Sequence, residues 1–127
     1  MPTVVRDGRV VAVSDLKDVS GTDPVVLYTC MPPYSKYVLR KLVIYNPDSD
    51  DHEVTLGEHN TTANSWSKDK LVVKVLAGQF VALGPDDLPS DYVMTTDPST
   101  AILAWAAKLD AAVTAKNVKV KAEFEVL

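Results

Sequence analysis

At 127 residues the chain can bury one substantial core, about two-thirds of its unfolded surface, so a single domain over 1–127 is expected, with 1–24 as an N-terminal arm and loop. Seventeen Asp and Glu against 13 Lys and Arg give a net charge of -4, and the only basic row is Lys116, Lys119 and Lys121, which argues against nucleic acid as the main partner. A single cysteine, Cys30, excludes an intrachain disulfide and a zinc ribbon; no apolar run approaches the ~20 residues of a membrane helix, and no secretion signal opens the chain, so a protein made in the cytoplasm without a membrane partner is expected.

Thr3-Val4-Val5 and Arg9 to Val13 flank Arg6-Asp7-Gly8. Asp-Gly tolerates the positive φ of a tight turn, so β-branched runs on either side of it predict an N-terminal hairpin. Ser14 to Pro24 reads as a polar loop, followed by a strand at Val25 to Thr29 that Met31-Pro32-Pro33 stops. In Lys36 to Tyr45, alternation puts Val38, Arg40, Leu42 and Ile44 on one face and Tyr37, Leu39, Lys41, Val43 and Tyr45 on the other.

Asn46 to Asp51 is a turn, because Pro47 fixes φ and the Asx side chains bond their own backbone. It hands over to a strand at His52 to Leu56, and Glu58 to Asp69 reads as a long polar loop holding Trp66. Lys70 to Ala77 sets Leu71, Val73 and Val75 opposite Val72, Lys74 and Leu76, and Ala77-Gly78-Gln79 turns tightly into Phe80 to Leu83. Gly84 to Pro89 turns again before a short strand at Asp91 to Thr96.

The segment 99–115 fits two periods. Ile102, Trp105, Leu109 and Val113 fall at helical spacing behind a possible cap at Ser99 or Thr100, while Ala101, Leu103, Trp105, Ala107 and Leu109 share one face of a strand. These residues leave an α+β alternative open beside an all-β fold. At the C-terminal end Val118, Val120, Ala122, Phe124 and Val126 alternate with Lys119, Lys121, Glu123 and Glu125, which is a half-buried strand. Strands about ten residues apart with turn punctuation give an all-β antiparallel sandwich.

Most of these runs are apolar on both faces. A free-standing sandwich strand alternates apolar with polar residues, so a strand apolar on both sides needs a second cover. The expected cover is another copy of the chain, over Tyr37, Leu39, Val43, Tyr45, Val72 and Leu76, with Trp66 as an anchor.

The run Val26-Leu27-Tyr28-Thr29-Cys30-Met31-Pro32 is followed by Leu42-Val43-Ile44-Tyr45-Asn46, Val54-Thr55-Leu56, Leu76-Ala77-Gly78-Gln79, Leu88-Pro89-Ser90-Asp91 and the small-residue strand Thr100 to Ala107. In strand spacing and turn residues this order, over residues 25 to 112, resembles the small jelly-roll virion proteins of tailed bacteriophages and related archaeal viruses, which decorate capsids or sit at head or tail surfaces. The resemblance implies a jelly-roll sandwich of eight strands, a trimer or another ring, docking on a larger capsid or tail lattice, residence in the virion and no cofactor. It also makes 101–107 a strand. The hairpin at 3–13 and the charged strand at 117–127 lie outside it, and Arg40-Lys41 interrupts an otherwise apolar strand.

Asp48, Asp50 and Asp51, with His52 and Glu53, crowd one turn whose oxygens could hold calcium, although the spacing lacks the glycine of an EF-hand loop and a solvated acidic turn is the ordinary reading. His52, Glu58 and His59 are too few, on too flexible a loop, for a catalytic zinc. Cys30 has no base beside it, and Ser20, Ser35, Ser65 and Ser90 lack the Gly-x-Ser-x-Gly context of a hydrolase nucleophile. Trp66 could stack on a sugar, anchor a partner or fold back over the end of the core. The lysine row could guard a sheet edge or meet an acidic partner. These readings converge on a non-enzymatic structural protein that forms a homo-oligomer. The alternative is a carbohydrate-binding module using the 58–69 loop, and a cupin-like enzyme would need a His and Glu cluster that the chain lacks.

Overall fold

The computed structural model describes residues 3–6, 9–30, 36–88, 93–95 and 102–127, and among them every regular element is a strand. These are β1 (Thr3–Arg6), β2 (Arg9–Val13), β3 (Lys17–Val19), β4 (Val25–Thr29), β5 (Lys36–Tyr45), β6 (His52–Asn60), β7 (Ser65–Val75), β8 (Phe80–Leu83), β9 (Val93–Thr95), β10 (Leu103–Leu109) and β11 (Val118–Val126). The expectations at Asp7-Gly8, Met31-Pro32-Pro33, Ser35, Ser90 and the Ser99 or Thr100 cap lie outside the described residues.

Two antiparallel sheets face each other. The first runs β1-β2-β11-β5-β8, with β3 beside β11 and β9 beside β5, and the second runs β4-β10-β6-β7. The pairs β2 with β11, β4 with β10, β5 with β8 and β6 with β7 are nested in the chain, as in a long ribbon doubled back and rolled up. That strand order is a jelly roll. The hairpin of β1 and β2 adds an outer strand to the first sheet.

No helix forms at 102–115. Leu103–Leu109 pairs with β4 on one side and β6 on the other, and this double ladder overrides the helical preference of its alanines. Leu103, Trp105, Ala107 and Leu109 face the core. Two loop expectations also fail. Ser14 to Pro24 contains β3, and the ladder beside β11 is bridged at Ser14, whose N–H donates to Ala122 O at 2.9 Å and whose Oγ accepts from Ala122 N at 2.8 Å. Glu58 to Asp69 is mostly paired strand: β6 continues to Asn60, β7 begins at Ser65, and only 61–64 turn.

Strict alternation along β5 is broken by a β-bulge. Lys41 pairs with Glu123 and Leu39 with Phe124, so Arg40 is an extra residue without a partner in the ladder. The one-residue slip turns Tyr37 and Leu39 inward with Leu42 and Ile44, and the displaced guanidinium reaches Glu125 at 3.1 Å. Tyr37 and Leu39, expected on the outer face, are core residues, with Leu39 fully buried.

Aromatic contacts join the sheets. Trp105 stacks on Phe124 with centroids 5.5 Å apart, Tyr28 lies 6.1 Å from Phe124 and 5.7 Å from Tyr37, and Trp105 Nε1 donates to the Tyr37 carbonyl at 3.2 Å. The last bond satisfies the polar atom that a buried indole brings with it.

Candidate functional site

The crowded carboxylates are each engaged by hydrogen bonds within the chain. Asp48 is buried and accepts from the backbone N–H groups of Thr114 (3.0 Å), Ala115 (2.7 Å) and Lys116 (3.2 Å), and His52 Nε2 bonds it at 2.8 Å. Asp50 accepts from the Thr114 hydroxyl and Asp51 from Ala77 N–H at 2.8 Å. Asp48 and Asp50 both turn to Thr114, at its N–H and its hydroxyl, while Asp51 turns to Ala77, and among the described residues no group of His, Cys, Asp or Glu is placed to hold a metal. His52 Nδ1 lies 3.2 Å from Asp110, so one ring ties the 46–51 turn to the loop after β10.

The bond from His52, joined by the three amides and opposed by burial, holds Asp48 far below the ordinary carboxylate range. Burial alone would favour a neutral His52 ring, but the bonds to Asp48 and Asp110 outweigh it and raise its pKa above the usual histidine value. Asp110 is lowered because its bond to His52 overcomes its own desolvation. The Thr114 hydroxyl donates to Asp50, and Cys30 is buried, with desolvation pushing its thiol up to about 12. Glu58 pairs with Lys70 at 3.4 Å, and Lys119 with Asp18.

Outward apolar side chains gather on the first sheet. Tyr45 stands opposite Phe80 in the ladder, and together with Val43, Leu16 and the Lys119 stem they line one shallow apolar depression. Leu16 is 58% exposed, Tyr45 42% and Phe80 61%. The corner beside them is fixed: Gly78 takes a φ of 76°, its N–H donates to Asn46 O at 2.7 Å, Asn46 N–H donates to Gln79 O at 3.0 Å, and buried Asn46 bonds Val75 O at 3.1 Å. Exposed Leu76 belongs to the same corner, while Val72 stands exposed on β7 of the other sheet. Leu16 and Phe80 were missed in the sequence. A lone leucine in a polar stretch and an aromatic directly after a glycine turn were the available signals.

The second sheet carries Trp66 on its outer face, on β7 rather than in a loop, where it pairs with His59 beside the 61–64 turn. Its ring lies against Gly57, where an added Cβ would come within 2.6 Å of Trp66 Cζ2 and 2.2 Å of the Lys68 carbonyl oxygen. Trp66 Nε1 donates to Asp69 at 2.7 Å, and the Lys108 ammonium stands 4.1 Å from the ring centroid. Across the ladder from Gly57 and His59, Ala106 and Ala104 are fully buried, so the outward side of β10 is covered there. Trp66 also joins Asp23, Pro24, His59 and Asn64 around a cleft. No protein-family model, no curated protein and no solved structure matches this chain.

Proposed function

We propose that this is a non-enzymatic structural protein, of the virion accessory or capsid decoration kind, that self-associates through the outer face of its first sheet. The observation that carries the reading is the exposed group of Leu16, between β2 and β3, with Tyr45 and Phe80 and half-buried Val43 on β5 and β8, beside a pinned corner. Such groups are costly to leave in water, each apolar Å² being worth about 25 cal/mol when covered, and a specific interface needs about 800 Å² per partner. The four residues supply an apolar centre, while Lys119 with Asp18 and Lys41 with Glu123 form a charged rim. A ring such as a trimer docked on a larger lattice is the assembly that the jelly-roll resemblance suggests.

Sedimentation velocity at micromolar concentration tests it. The native chain is expected to sediment as an oligomer and Phe80→Asp as a folded monomer that still melts cooperatively. A native chain that sediments only as a monomer overturns the reading.

A further inference from the structure

The cleft beside Trp66 has a lining unlike the apolar face of the first sheet, and it goes beyond the assembly reading without resting on it. It measures about 390 Å³, within the range of small-molecule sites, and is lined by Asp23, Pro24, His59, Asn64 and Trp66. Its walls are fixed. The indole is held by Asp69 and Lys108, and Gly57 leaves the space in which it lies. Asn64 takes a φ of 52° at the tip of the β6–β7 hairpin, whose Thr61 N–H and hydroxyl both donate to Ile102 O, at 2.8 and 2.7 Å. His59 is only 8% exposed, and its Nδ1 has no hydrogen-bond partner among the described residues. That nitrogen has under 1 Å² of accessible surface, so it stands behind the cleft wall rather than in it.

We propose that this cleft binds one ring of a neutral sugar. The indole offers an apolar wall to ring C–H groups, the Asp23 carboxylate accepts from hydroxyls, and the Asn64 amide can both donate and accept. No lysine or arginine lines the cleft to favour a phosphate, and its polar groups disfavour a purely apolar ligand.

The test titrates the full chain with glucose, galactose, mannose, fucose and N-acetylglucosamine, each to about 50 mM so that millimolar affinities register. The readout is the indole N–H resonances of the two tryptophans, of which Trp105 is buried in the core and serves as the internal control. At least one sugar is expected to shift Trp66 saturably and leave Trp105 unmoved. Asp23→Ala, at an exposed position, is expected to weaken that binding about tenfold or more at an unchanged melting temperature. The proposal is overturned if no sugar shifts Trp66, if Trp105 shifts equally, or if Asp23→Ala and Asn64→Gly both bind like the parent.

Discussion

On the second sheet Ala104 and Ala106 point outward and are nevertheless buried, and the Trp66 ring lies on Gly57 directly across from Ala106, whereas on the first sheet outward Tyr45 and Phe80 stay open to solvent. Both sheets contain strands that are apolar on two sides. The second resolves this with small residues and one aromatic laid flat from its own edge strand. The first uses large residues and no such cover among the described residues. Apolar periodicity therefore reports that a face must be covered but not by whom; residue size carries that information.

The largest test of the contrast compares positions on β5 and β8. Leu39→Asp places a carboxylate in the core without a partner, an expected loss of about 4 kcal/mol or more, and circular dichroism should show no cooperative melt. Gly57→Ala comes next, at about 2 kcal/mol in urea unfolding, because Cβ meets the Lys68 carbonyl. Adding Trp66→Ala should not rescue it, since that backbone oxygen remains; full rescue would show that the indole alone excludes a side chain there.

The His52 link predicts a pH dependence that separates this polar corner from both apolar faces. Its raised pKa gives stability that is complete below the ordinary value of 6.5 and fades as pH rises through the higher folded value. The lowered Asp48 and Asp110 contribute fully above 3.8 and lose that contribution as pH falls through their depressed values. The difference in melting temperature between the parent and His52→Gln should therefore be greatest between pH 3.8 and 6.5 and shrink toward alkaline pH. A difference that stays constant from pH 6.5 into the alkaline range would mean that His52 acts by packing alone. The smallest effect is expected at Phe80→Asp, within about 0.5 kcal/mol of the parent in the melting of the isolated protomer, in contrast to its loss of self-association.

What could be read in the chain depended on how local its cause was. β11 was evident because five inward residues alternate with four charged ones, and Gly78 marked its turn because that corner needs a positive φ. The resemblance also led to strand rather than helix at 103–109. The bulge at Arg40 could not be seen, since it depends on register against a strand more than eighty residues later, at Glu123 and Phe124. Asp48 was equally obscure: an aspartate in a turn looks solvated until the amides of Thr114, Ala115 and Lys116 are brought to it. The polar run Asn60 to Ser67 misled by composition, although Asn at a positive-φ position is itself a hairpin signal, and the cleft residues Asp23 and His59 become neighbours only once that hairpin folds.

The nested pairing sets an order on synthesis. β11 lies between β2 and β5, yet it leaves the ribosome after every other strand of the sandwich, so the earliest-made and middle segments must wait unpartnered for the latest one. Closure of such distant segments is slow. A nascent chain therefore exposes the edges of β2 and β5 until translation has passed residue 126, and that interval is when a chaperone or a neighbouring nascent chain would find it.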